Sequence, residues 1–391
     1  MSVYLDHAAS SPLRPEALAA FTRQLEVCGN PSSVHQFGQS TRMALEEARE
    51  KLAAVVDCDR SEIIFTSGGT ESTNLAVKGI YWQRQAESPD RKVIISAYTE
   101  HHAVIDAVEW LEKAQGAEVV WLGVSERGEV KLNELAQILE QRSGEIALIA
   151  LMWANNETGV ITDMKAVTDL AKPHGVPVIS DGVAAFGHIP ISFRDSGLQA
   201  LAITAHKVGG PIGVGALVIS RASKLVSLTH GGGQERSMRS GTMNPAGAVA
   251  FAVAAELTVR ESEELAKTHA EWVAEIIEAV TSIASDARFS RGDAPGLPNN
   301  LHFTFPGCSG DSLLFLLDSA GVAVSTGSAC TAGVASASHV LLAMGRSAAE
   351  ASGTLRITFG YSTTRQDIDA FLAAFPAAYE GAKKAGLNGA E

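Results

Sequence analysis

Between residues 60 and 220 the chain alternates short β-branched runs with helix-forming stretches, and this rhythm limits its fold more than any other feature. The apolar runs fall at 63–66, 93–98, 119–123, 147–153, 176–181, 201–205 and 216–220. Strands separated by segments long enough to cross over build a mostly parallel sheet with helices on its faces. Several runs are apolar throughout instead of alternating, as burial of both sheet faces requires. The predicted fold class is α/β, and ligand-binding groups should gather at the carboxyl ends of the strands.

At 391 residues the chain exceeds the roughly 250–300 at which one core stops growing, so a large and a small domain are expected. Asn244-Pro245 reads as an N-cap with proline at the first helical position, opening a long Ala-rich helix to about 284 that bridges the two. Residues 39–56 carry Met43, Leu45, Ala48, Leu52 and Val55 at helical spacing and predict a helix packed on the sheet. Beyond 288 the pattern becomes Asn-Leu-His-Phe-Thr-Phe-Pro, a helix, a Gly- and Ser-rich loop, a strand and a final helix from about 364, which suits a small α+β domain.

A composition of 46% hydrophobic and 19% charged residues supports a packed core and excludes a disordered or fibrous chain. Against 44 acidic side chains stand 31 basic ones; the formal charge of -13 repels a phosphate backbone, so no direct nucleic-acid partner is expected. The N-terminal stretch lacks an apolar signal core, and the longest apolar run is cut by Glu256 well short of a membrane span, so a cytoplasmic protein without a membrane partner is expected. Cys28, Cys58, Cys308 and Cys330 are widely separated, and neither a Cys-x-x-Cys nor a His-Glu-x-x-His pattern offers metal spacing.

The chemistry concentrates at three strand ends. Thr66-Ser67-Gly68-Gly69-Thr70-Glu71 runs from a strand through two glycines into a helix predicted over 72–78, and a phosphate fits Gly69 and Thr70 at such a start. An ordinary glycine turn with a Thr cap is the plain alternative. Asp181 ends an apolar strand, where an acid reaches a ligand or simply caps the next turn. Lys207 follows Thr204-Ala205-His206 in a small, apolar, glycine-rich neighbourhood. Lysines are mostly solvated; desolvation there would depress the amine and favour Schiff-base chemistry. A phosphate cradle, an acid and a lysine together match the needs of pyridoxal 5'-phosphate, and His101 or its neighbour His102 is placed to stack on the ring.

Further stretches carry a resemblance: Tyr4-Leu5-Asp6-His7-Ala8-Ala9, Gly29-Asn30-Pro31-Ser32-Ser33-Val34-His35, Glu100-His101-His102-Ala103-Val104, Trp153-Ala154-Asn155-Asn156-Glu157-Thr158-Gly159, Arg239-Ser240-Gly241-Thr242 and Ser325-Thr326-Gly327-Ser328-Ala329-Cys330. With these the chain resembles the cysteine desulfurases, class V enzymes of the fold-type I pyridoxal-phosphate group, along nearly its whole length. The resemblance implies a fold-type I PLP-transferase: a large domain over 15–260 with a mostly parallel seven-stranded sheet, and a small α+β domain over 261–391, with 1–14, carrying the catalytic Cys loop. It also implies roles. Lys207 would be the Schiff-base lysine, Asp181 the pyridinium partner, His101 the stacking residue, Asn156 a donor to the phenolic oxygen, and Cys330 the nucleophile. Gly69, Thr70, Thr204 and His206 would hold the phosphate, with Thr242 contributed by the other subunit of a homodimer, and Arg356 would bind the carboxylate of L-cysteine as a bidentate fork.

The implied activity is a PLP-dependent conversion of L-cysteine to L-alanine, with sulfur leaving as a Cys330 persulfide for an acceptor or scaffold protein serving iron-sulfur clusters or the thiolation of tRNA and cofactors. A selenocysteine lyase or another class V aminotransferase, in which Cys330 is dispensable, is the alternative within the group. A binding or scaffold protein that kept the fold and lost the chemistry is the alternative outside it. One departure bears on both. Where the family has Asp-Ala-x-Gln, this chain has Asp181-Gly182-Val183-Ala184, so the glutamine that helps hold the cofactor oxygen is missing. Such a loss costs roughly 1.5–3 kcal/mol when nothing replaces the bond.

Overall fold

The computed structural model describes residues 2–327 and 337–388, with the side chains of 387 and 388 left aside. The expected alternation produces one seven-stranded sheet from β1 (Ile63–Thr66), β2 (Val93–Ala97), β3 (Glu118–Leu122), β4 (Ile146–Ala150), β5 (Val178–Asp181), β6 (Ala200–Thr204) and β7 (Gly215–Ile219). Their spatial order is β1-β7-β6-β5-β4-β2-β3. All neighbours are parallel except β7, which runs antiparallel to both β1 and β6. Every residue of β1, β2, β4, β5, β6 and β7 is buried, in line with their unbroken apolar character.

The helices cover both faces. The helix Gln36–Val55 packs through Leu45, Ala48 and Leu52, but Met43, expected on that face, is exposed. The buried place nearby goes to Arg49, whose guanidinium makes two 2.8 Å bonds to the carboxylate of buried Glu235 and a third bond to the Ile63 carbonyl. Met43 joins that face only by its apolar character, since at 3.6 residues per turn it falls opposite Leu45, Ala48 and Leu52; Arg49 falls among them and is buried because it is paired and hydrogen-bonded. The helix at the first glycine turn spans Gly69–Glu87, longer at both ends than predicted, because Leu75, Ala76, Val77, Ile80 and Tyr81 pack in the sheet-facing core. The long helix spans Pro245–Ile283; its N-cap Asn244 accepts from the Gly247 N–H.

A second core forms around a three-stranded antiparallel sheet with β8 (Asn300–Thr304) in the middle, flanked by β9 (Thr354–Thr358) and the pair Arg288–Phe289. It joins Leu301, Phe303, Leu355 and Ile357 to the helices Gly310–Ser319 and Arg365–Asn388, to Ile276 and Val280 of the long helix, and to Val3 and Leu5. The N-terminal segment is stitched in by parallel pairing of Val3 and Tyr4 with Val322 and Ala323. Among the described residues no helix is long and apolar enough to cross a membrane.

Candidate active site

A cavity of about 400 Å³ opens where the carboxyl ends of the central strands meet the second core. Its walls bring together Gly69, Thr70, His101, Asn156, Asp181, Thr204, His206, Lys207 and Arg356, nine of the eleven residues singled out in the sequence. Thr242 is exposed and does not line the cavity of its own chain. Cys330 lies outside the described residues; Ser325, Gly327 and His339, on either side of it in the chain, border the cavity.

Each group is set by the end of an element. The first helix after β1 begins at Gly69, so its free N–H groups and the positive end of its dipole face the cavity. Gly68 takes φ +156°, and a Cβ on Gly69 would stand 2.6 Å from Cγ2 of Val183, so side chains are excluded where the backbone approaches. Asp181 closes β5 and accepts from the Val183 N–H at 2.9 Å through Oδ1. Thr204 closes β6.

Lys207 keeps a partial opening onto the cavity, yet enough protein surrounds it that burial pushes its amine down to about 8, with Arg356 pushing the same way and Asp181 and Asp6 opposing. His206 is held down to about 4 by burial and by Lys207, so its imidazole is neutral near pH 7 and binds through hydrogen bonds. His101 caps the helix His102–Gln115, accepting the Ala103 N–H at 3.0 Å through Nδ1, which leaves the proton of its neutral ring on Nε2. Burial lowers His101 further, against the pull of Asp181. His102, its rival in the sequence, is exposed and engages Asp106. Both rings border the cavity, and His101 is the more enclosed of the two.

Arg356 projects from β9 with only 4% exposure. Its Nη1 donates to the Asn156 carbonyl and its Nη2 to Oδ1 of Asp6, both at 2.8 Å, while Nε is buried without a partner among the described residues. The solvated salt bridge that a strand arginine usually makes is here a buried one.

Several residues at the site carried no chemical reading in the sequence. Glu100 is fully enclosed; burial drives its carboxyl well above the usual range while the Met152 N–H bond opposes, and its Oε2 has no partner. Glu157 receives the Ser338 hydroxyl, and His339 Nε2 donates to the Glu100 carbonyl at 2.9 Å, so the chain just after the undescribed stretch is tied to the large sheet's loops. Only the acid beside His101 offered a local signal. Beside Ala184 lies a small pocket of about 10 Å³, also lined by Lys207, Asn156, Asn299 and Asn300; Oδ1 of Asn299 and Oδ1 of Asn300 have no partner among the described residues. That is near the volume one water needs. Of the other cysteines, Cys58 and Cys308 are pushed up to about 12 and about 11 by burial, which disfavours their thiolates, and neither lines the cavity.

The family profile described as aminotransferase class-V matches residues 3–371. The IscS-like cysteine desulfurase of Mycobacterium tuberculosis (strain ATCC 25618 / H37Rv) is 46% identical over 388 residues, covering 99% of this chain and 98% of the relative. This chain belongs to the cysteine desulfurase family of class V. Cysteine desulfurase IscS of Dictyoglomus turgidum (strain DSM 6724 / Z-1310) is 42% identical, with 94% and 92% of the two chains covered. Among solved structures, a NifS-like protein superposes with a TM-score of 0.87 at 33% identity over 96% of this chain and 99% of its own. A structure described as SspA in complex with cysteine gives 0.80 at 30% identity, covering 93% of this chain and all of the other, 100%. The class is one of pyridoxal-phosphate enzymes, and the seven-stranded α/β architecture is that of the NifS-like structures.

Proposed function

We propose that this chain is a cytoplasmic, homodimeric cysteine desulfurase that binds pyridoxal 5'-phosphate in the cavity, releases L-alanine from L-cysteine and carries the sulfur away as a persulfide on Cys330. The observation that carries the reading is Lys207: an amine lowered to about 8, on the wall of a cavity that also holds Asp181 and a helix N-terminus. The donor set suits the cofactor. Gly69, Thr70, Thr204 and His206 would hold its phosphate, joined by Thr242 of a second copy; Asp181 would pair with the ring nitrogen, His101 would cover one ring face, and Asn156 would reach the phenolic oxygen. When bound, pyridoxal phosphate supplies an electron sink for the bonds at the substrate's α-carbon. The large unit would span 15–260 and the small one 261–391 with 1–14, a division favoured by the two separate cores.

The chain's own residues then divide the work. Arg356 binds the substrate carboxylate through its free N–H groups. Lys207, an amine lowered by burial on the cavity wall, moves the proton at the α-carbon. The Cys330 thiolate attacks the substrate sulfur: a sulfur–sulfur bond forms, the carbon–sulfur bond breaks, and its electron pair, with a proton, makes the methyl group of alanine. The persulfide passes to an acceptor or scaffold protein, for iron-sulfur cluster assembly or thiolation of tRNA or cofactors.

The test is an absorbance spectrum of the purified protein followed by addition of L-cysteine, with alanine and sulfide measured. A cofactor band that responds to cysteine, with one alanine per sulfur released, supports the reading. Colourless protein, or borohydride treatment that tags no peptide containing position 207, sinks it.

A further inference from the structure

Arg356 is gripped from two directions that belong to different parts of the fold. Asn156, which accepts from Nη1, sits in the loop beyond β4 of the large sheet. Asp6, which accepts from Nη2, lies on the N-terminal segment that runs beside β9: the Leu5 carbonyl accepts from the Thr358 N–H at 2.8 Å, and Asp6 itself bridges to Thr358. Asp6 and Arg356 therefore belong to one stitched unit, and their relative placement does not depend on how the large sheet lies against it.

A guanidinium has five N–H donors, and these two contacts use two of them. Among the described residues one N–H remains on each terminal nitrogen, together with Nε–H, which is buried without a partner. A buried donor left unpaired is unfavourable until a ligand takes it. The pair is also electrically balanced, since the Asp6 carboxylate sits 2.8 Å from the guanidinium with 21% of its own side chain exposed.

We propose that Asp6 is a positioning residue for substrate recognition: by fixing the guanidinium plane of Arg356 it presents the remaining N–H groups as a ready two-pronged receptor for the carboxylate of an α-amino acid. This rests on the reading of Arg356 as the carboxylate receptor. The physical gain is prepaid order. An arginine side chain has many rotamers, and one anchored before the substrate arrives loses less freedom on binding. Asp6 acts before and during binding and touches no reacting atom, so its removal should fall on substrate affinity and spare the chemical steps.

The experiment uses the holoenzyme carrying Asp6→Ala, Asp6→Asn or Arg356→Lys, with alanine formation from L-cysteine measured at steady state and L-alanine titrated against the cofactor absorbance. In Asp6→Ala, KM and the L-alanine dissociation constant should rise about tenfold with kcat within about twofold. In Asp6→Asn both should stay within about threefold of the parent, since the amide oxygen still accepts from Nη2. If Asp6→Ala gives no folded holoenzyme, Asp6→Ser replaces it with the same expected rise, its hydroxyl being too short to reach. Unchanged KM in Asp6→Ala beside a raised KM in Arg356→Lys overturns the role of Asp6 alone. Unchanged KM in both overturns the assignment of Arg356. A fall in kcat at constant KM in Asp6→Ala marks a scaffold residue and overturns the proposal as well.

Discussion

The cavity has two walls of different origin. One is the carboxyl edge of the large sheet, where Asp181 and Thr204 end strands, Gly69, Thr70 and His101 stand at helix starts, and Lys207 lies in the turn after β6. The other is built around β9, where Arg356 meets a partner 350 residues away in sequence and Ser325 pairs across to it from a separate loop. The first wall is made by local grammar repeated along the chain; the second exists only after distant segments pair. The sheet edge carries the groups suited to a cofactor, and the β9 wall carries those suited to reading a substrate. Holding the cofactor and choosing the substrate should then separate under mutation.

The largest expected effect strikes the sheet edge. Lys207→Ala should cut alanine formation by roughly a thousandfold or more, the scale of a positioned proton-transfer group, and abolish borohydride fixation of the cofactor. Alanine assays and peptide mapping after borohydride check both. Cys330→Ser should lower sulfur release from cysteine by roughly a hundredfold while leaving the cofactor spectrum of the parent. If that variant keeps full activity, sulfur does not pass through Cys330.

Smaller effects sharpen the division. Ala184→Gln should tighten cofactor binding by about ten- to a hundredfold, the equivalent of the roughly 1.5–3 kcal/mol assigned to one bond to a charged oxygen, as measured by equilibrium dialysis of the apoprotein. No tightening means that the cofactor oxygen already finds its donor elsewhere, from Asn156 or from a water held in the small pocket beside Ala184. The smallest effect is a pH dependence. Lys207 must be neutral to react, and its amine is lowered to about 8, so capture of pyridoxal phosphate by the apoprotein should speed up by about tenfold from pH 7 to pH 9 and then level off. Stopped-flow absorbance follows it. A rise continuing toward pH 10.5 means that the lysine behaves as a solvated one.

Much of this was legible in the residues themselves. Strand and helix periods are properties of windows of a few residues, so the seven strands, the long helix opening at Asn244 and the three strand-end groups Gly69, Asp181 and Lys207 could be read in order. The different settings of His101 and His102 could not, because they turn on which ring caps the helix and which meets Asp106. Nor could burial of the charged Arg49, since a period says which face turns inward and not that an acid at residue 235 waits there.

The sequence by itself determined the element order, the α/β class and the identity of the groups at the strand ends, because these follow from local propensity and from residue chemistry. The tertiary structure alone decided that Glu157 and Ser338 meet and that Asp6 holds Arg356. Those outcomes depend on contacts across hundreds of residues, which form only when two cores close against each other and desolvate the charges between them.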